Sequence, residues 1–310
     1  MKGRSIREIV WGRLVRDKVA LVCFAILVVM YLLAIVGPFA LAAAGYSPYT
    51  LDSNAISDLG GQPKLPFGGV DFPTHPLGVE WGSGRDIMSQ LLWGLRISLI
   101  VATSATAVTV TLGTVVGIIA GYSRGWVDQL LGRLMDLVLA FPFILIVLAL
   151  SGVMTDRLTS LGVPAGNASR ILYLILVIGI FGWPFLARIV RGQVLSLRER
   201  EFVEAAVAMG ASRTRILFGE ILPNLWAPIL VFTTLTLPSY ISLEAALSYL
   251  GVGVLPPDTT FGAMLANSVN YFKAVPTYLF IPGGMLVILV VAFNLLGDAL
   301  RDALDPRAIH

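Results

Sequence analysis

Apolar residues gather along this chain in six nearly unbroken runs, at 19–44, 95–122, 130–152, 171–190, 226–249 and 278–300. A helix needs roughly 20 apolar residues to cross a hydrocarbon core. Inside lipid, an isolated segment of that length satisfies its own backbone hydrogen bonds only as a helix. The pattern therefore predicts an all-α membrane protein with six transmembrane helices. The first run follows a basic start and ends in Ala42, Ala43 and Ala44, as a secretory signal does. It exceeds the apolar core of about 7–15 residues that such a signal carries, and five more runs follow, so it reads as a retained helix.

Two intervals between the runs are too long to be connectors. The one at 45–94 is rich in Gly and Pro, with PKLPFGGVDFPTHPLG at 63–78, and is expected to be irregular and packed on the outer face. The one at 191–225 contains Glu199, Glu201, Glu204, Ala205, Ala206 and Ala208, good helix formers that predict an ordered helical segment outside the membrane. A hydrophobic protein that keeps such a helix in water is expected to dock something there. The organisation read from this is a 1–94 unit of N-terminal tail, first helix and long outer loop, a 95–300 five-helix core, and a 301–310 tail.

Charge sets the expected orientation. With the N-terminus inside, sixteen of the 22 Lys and Arg residues, from Lys2, Arg4 and Arg7 to Arg301 and Arg307, fall on inner segments. Only Lys64, Arg85, Arg96, Arg157, Arg170 and Lys273 fall outside, which by the positive-inside rule puts both termini in the cytoplasm.

Composition narrows the function classes. Apolar residues make up 56% and charged residues 13%, against about 25% charged in a soluble domain. With a mean hydropathy of +0.83, a water-soluble enzyme is excluded. The net charge of +3 is too small for a nucleic-acid surface. Cys23 is the single cysteine, so there is no internal disulfide, and His75 and His310 are too few for a histidine-rich metal cage. No bound metal or cofactor is expected. No GxxxxGK[ST] run cradles a phosphate, and no Ser, His and acid set suggests a hydrolase. LGGQ at 59–62 resembles the ABC signature, but it lies in the predicted outer loop without a nucleotide fold and reads as coincidence.

The most informative segment is EAAVAMGASRTRILFGEILP at 204–223. Ala205, Ala206 and Ala208 make a helix with little side-chain bulk, Gly210 permits a sharp turn, Ser212 is a good N-cap, and Pro223 is expected to end a second short helix. Two short helices meeting at a glycine make a knob. The segment resembles the EAA loop of ABC-importer permeases at Glu204, Ala205, Ala206, Gly210, Leu222 and Pro223, and departs from it where Glu220 replaces Ile. Further matches run from HPLG at 75–78 and GRD at 84–86 through 120–142, 247–257 and 261–267 to AFNLLGDALRDALDP at 292–306. Together they resemble the second permease subunit of dipeptide and oligopeptide importers, although Val79 to Ser83 depart from the usual run there.

The resemblance implies a type I ABC importer permease fold in a bacterial-type inner membrane, forming half of a translocation pore. It implies a heterodimer with a second permease, two ATPase subunits that hold ATP and Mg, and an extracytoplasmic substrate-binding protein. Residues Glu204, Ala205, Ala206, Gly210, Ser212, Leu222 and Pro223 are then the ATPase-coupling set. Relatives that carry nickel chelates or other small solutes leave the cargo open. An ion-gradient secondary transporter is the alternative class, but it should show half-repeats that this chain lacks.

Polar and small residues within the spans give the remaining candidates. Asp136 reads as an ion pair with Arg133, three residues earlier, or as a pathway residue. Glu244, placed near the outer edge of its span, could line a gate or meet the partner permease. Asn294 and Asp298, with Arg301, Asp302, Asp305 and Arg307 beyond them, either tie down the last helix end or form a solvated tail. Gly113, Gly117 and Gly121 form a helix-packing stripe, and Pro142, Pro184 and Pro238 are expected to bend their spans.

Overall fold

The computed structural model describes residues 12–58, 60–72 and 74–304. Lys2, Arg4, Arg7, Leu59, Asp305, Arg307 and His310, all used in the sequence reading, lie outside the described residues. Six helices are long and apolar enough to cross a membrane: Lys18–Ala43, Ile87–Tyr122, Phe143–Ser160, Asn167–Leu197, Arg213–Tyr249 and Thr277–Leu304. We call them α1, α2, α4, α5, α7 and α9. The helices Trp126–Ala140, Glu201–Ala208 and Phe261–Ser268 are α3, α6 and α8.

Local chemistry sets the ends of these helices. Asp17 caps α1, its carboxylate accepting from the backbone N–H groups of Val19 and Ala20 at 2.8 and 3.2 Å. Asp86 caps α2 in the same way, accepting from Ser89 N–H at 2.7 Å.

The third predicted span requires a correction. The apolar run 130–152 is not one helix: the chain breaks at Phe141–Pro142, leaving α3 and then α4, and only α4 qualifies as a span. Proline removes a backbone donor and restricts the residue before it, which ends α3 outright. Pro184 and Pro238, by contrast, sit inside helices that continue through them. Other spans are longer than expected, among them α2, α5 and α7. α2 begins at Ile87 and α5 runs on to Leu197, so the supposed loop at 191–225 opens with seven residues of helix.

The core is built on the pairing of α2 with α5, the most extensive contact in the molecule. Gly113, Gly117 and Gly121 face α5, and a Cβ added to them would lie 2.8, 2.7 and 2.7 Å from the Cβ atoms of Leu186, Val190 and Val194. The backbones therefore approach as closely as the missing side chains allow, and dispersion holds the pair where lipid offers no hydrophobic gain. α7 and α9 pack together beside this pair, and α1 lies across α2 and α9. Cys23 is buried in that packing, whereas Ile35 and Phe39 are exposed on the flank of α1.

Both described ends of the chain lie on one face, where Arg13 Nη1 donates to the Ala303 carbonyl at 3.2 Å. The opposite face carries 44–86 and 250–276. There Tyr49 Oη donates to Asp258 Oδ1 at 2.6 Å and Asn167 Nδ2 to the Leu255 carbonyl at 2.7 Å. The long loop is irregular, as expected, with isolated bridges such as Ile56 to Pro63 and no named strand among the described residues.

Candidate functional site

The knob is built from alternating anchors and exposed positions. α6 is held by Val203 and Ala206, three residues apart, which are buried against Ile216, Ile221 and Leu225. Glu204, Ala205 and Ala208 are exposed, Val207 is partly exposed at the side of the helix, and Met209 is 81% exposed at the tip. Ala206 thus packs inward, while Ala205 is available to a partner.

The helix ends in a Schellman arrangement. Ala211 N–H donates to the Ala206 carbonyl at 3.0 Å and Gly210 N–H to the Val207 carbonyl at 2.9 Å. Gly210 has φ +79°, the left-handed region glycine adopts freely, and nothing lies within 4 Å of where its Cβ would be. Two residues later the Ser212 hydroxyl accepts from Arg215 N–H at 3.3 Å and starts the next helix.

The role expected of Pro223 is overturned. It does not end a second short helix: the chain passes from Arg213 through a π-helical turn, Ile216–Ile221, straight into the membrane helix, and Pro223 stands in the first turn of the segment Leu222–Tyr249. Proline is tolerated there because the wider π-turn already disrupts the regular hydrogen-bond ladder. Leu222 is half-buried against the same cluster that anchors α6.

Two neighbours of the knob escaped the sequence reading. Arg191 donates from Nε and Nη2 to the two oxygens of Asp128 at 2.6 and 2.8 Å. Arg198 Nη1 donates to the Gly121 carbonyl at 3.0 Å, closing the end of α2. Charged residues at these positions read as loop because their partners lie more than 60 positions away.

The intramembrane candidates also move. Asp136 pairs with Arg188 of α5 and not with Arg133, because α3 is a separate helix turned toward α5. Glu244 is fully buried in the chain's own packing. Ser98 Oγ and Ser248 Oγ donate to its two oxygens at 2.6 and 2.7 Å, so it faces no gate in this structure. Asn294 and Asp298 are exposed on α9.

At the α3–α4 break an apolar recess of about 310 Å³ is lined by Phe141, Phe143, Phe181, Phe185 and Tyr240. On the far face, Glu80 accepts from Arg85 Nε at 2.6 Å and from Tyr278 Oη at 2.8 Å, a buried knot that pins the long loop to α9. His75 sits 3.2 Å from both Asp52 and Asp86. Its hydrogen bond is the main reason the Asp52 carboxyl is held below the ordinary carboxylate range.

Comparison with known proteins agrees with this geometry. The family model for the binding-protein-dependent transport system inner membrane component matches residues 113–310. The model for the N-terminal TM domain of oligopeptide transport permease C matches 5–63. The dipeptide transport system permease protein DppC of Alkalihalophilus pseudofirmus is 37% identical over 95% of this chain and 88% of its own. The oligopeptide transport system permease protein OppC of Haemophilus influenzae is 33% identical over 99% and 90%. Among solved structures, the MetNI methionine ABC transporter in inward-facing conformations superposes with a TM-score of 0.57 at 21% identity, covering 71% of this chain and 98% of that one. That likeness establishes the fold, and the full-length relatives and the family models establish that this chain belongs to the ABC-importer permeases, the binding-protein-dependent transport system inner membrane components.

Proposed function

We propose that this chain is the second permease subunit of an ATP-driven importer of dipeptides or oligopeptides in a bacterial inner membrane, with both termini cytoplasmic. It supplies half of a translocation pore, and a different permease supplies the other half. Two ATPase subunits bind ATP and Mg and hydrolyse the nucleotide, and an extracytoplasmic binding protein delivers the substrate. This chain itself holds no cofactor. The peptide cargo rests on the DppC and OppC relatives, which span nearly the whole chain. Family membership removes the ion-gradient carrier from consideration.

One observation carries the coupling role. Glu204 to Ser212 form an exposed knob, held by two buried side chains and turned by a glycine with open space around it. Such a knob fits a cleft in a partner and has little to do without one. The test is a gentle-detergent pull-down of wild type and Gly210→Glu from native membranes, with co-purifying chains identified by mass spectrometry. Wild type should retain ATPases, a second permease and a binding protein, and the variant should lose only the ATPases. If no ATPase accompanies either form while other membrane complexes survive, the coupling reading is wrong.

A further inference from the structure

On the face of the knob lies a cavity that the packing of the spans does not use. The turn after α2, the end of α5, α6 and the start of α7 enclose about 420 Å³, lined by Arg124, Arg198 and Arg213. Ser123 adds a hydroxyl, and Val203 and Val207 of α6 form the apolar wall.

Charge in this cavity is not balanced. Glu199 is the acid that reaches the set, with Oε1 3.1 Å from Arg198 and 3.7 Å from Arg124. Asp128, the nearby alternative, is occupied at both oxygens by Arg191. Arg213 has no ion pair among the described residues. Three guanidiniums therefore face one carboxylate. Arg198 is fixed to the end of α2, but the Arg124 side chain, loosely paired with Glu199, is 80% exposed and Arg213 is exposed, so packing holds neither fork away from a ligand.

The position of the cavity narrows the ligand. It sits where α2 and α5 end and α7 begins, where apolar spans give way to polar connections, within reach of both a headgroup and a soluble ion. Planar guanidinium forks beside a hydroxyl match the oxygens of a phosphate.

We propose that this cavity binds a phosphate-bearing anion, supplied by an anionic phospholipid headgroup or by free phosphate. Since α6 forms one wall, an occupied site ties the knob to the end of α2, and occupancy sets how firmly α6 is seated. The proposal stands apart from the identity of the cargo.

The test uses the purified, delipidated full-length chain in mild detergent. Native mass spectrometry and thermal unfolding are followed with phosphatidylglycerol, with phosphatidylcholine, and with inorganic phosphate against sodium chloride at matched ionic strength. Phosphatidylglycerol adducts and a raised unfolding midpoint are expected in wild type, weakened about tenfold or more by Arg124→Gln with Arg213→Gln. Arg301→Gln, a basic residue elsewhere on that face, should change nothing, and Arg124→Lys with Arg213→Lys should keep part of the preference. An effect of phosphatidylglycerol alone identifies a headgroup site, and an effect of phosphate alone identifies a free-ion site. Equal binding of both lipids with no phosphate effect overturns the proposal. So does a Gln variant that binds phosphatidylglycerol and phosphate like wild type, because the two arginines then do not hold the anion.

Discussion

Asp128 and Arg191 face each other as two parallel forks, carboxylate against guanidinium, and clamp the first turn of α3 onto α5. The bond to Arg191 is the largest cause of the Asp128 carboxyl lying below the ordinary carboxylate range. A group with a depressed folded pKa contributes stability at neutral pH, and that contribution disappears as pH falls through the folded value. Asp128→Asn should therefore cost about 1–3 kcal/mol at pH 7, the worth of hydrogen bonds to a charged group. Thermal midpoints in detergent, scanned downward from neutral pH, should show wild type converging on the variant as the carboxylate protonates.

The glycine stripe gives a steric prediction. Gly117→Ala places a Cβ 2.7 Å from the Val190 Cβ and 2.8 Å from the Ala187 carbonyl, both rigid neighbours. Overpacking of this kind costs about 1–3 kcal/mol, and the thermal midpoint should drop. Gly132→Ala on α3, where nothing lies within 4 Å, should be neutral or gain about 0.5–1 kcal/mol from helix propensity. Equal effects at the two sites would contradict the close approach of α2 and α5.

Glu244 separates a structural role from a gating one. Glu244→Gln keeps one acceptor oxygen for one of the Ser98 and Ser248 hydroxyls and turns its amide NH2 to the other, whose oxygen can accept, and should retain most transport and stability. Glu244→Ala leaves both hydroxyls unpaired beside a cavity, and a loss of about 2–5 kcal/mol is expected. A Gln variant that is stable but inactive in uptake assays would mean the carboxylate works in the pathway.

On the opposite face, burial and then the hydrogen bond to Asp258 push the Tyr49 phenol up to about 12. Phenolate absorbance, taken as wild type minus Tyr49→Phe, should titrate near that value. In Asp258→Asn the same difference should shift toward the ordinary phenol range, because the neighbouring negative charge is gone.

How much of this was legible depended on whether the cause was local. Gly210 and Ser212 carry their turn and cap in a few adjacent residues, and the structure puts a positive φ and an N-cap at those positions. At Pro142 the sequence predicts a bend, but not that the apolar run is cut into two helices, because hydropathy registers lipid compatibility and not the course of the backbone. Arg191 and Arg198 looked like loop charges because Asp128 and the Gly121 carbonyl come near them only after α2 and α5 have paired. The Glu80, Arg85 and Tyr278 knot joins positions 198 residues apart, and no window along the sequence brings them together.

The absence of a loop between the knob and its membrane helix has a mechanical meaning. From Arg213 to Tyr249 the chain is 37 residues of continuous helical backbone, about 55 Å of rod at 1.5 Å per residue. A tilt of about 5° imposed at Ser212 displaces the far end by about 5 Å over that length. A flexible linker at 213–221 would absorb such a tilt; here the backbone stays helical through the π-turn, although Pro223, Pro228 and Pro238 each remove a rung from the hydrogen-bond ladder, so a tilt at the knob would be carried along the helix with its give confined to those points.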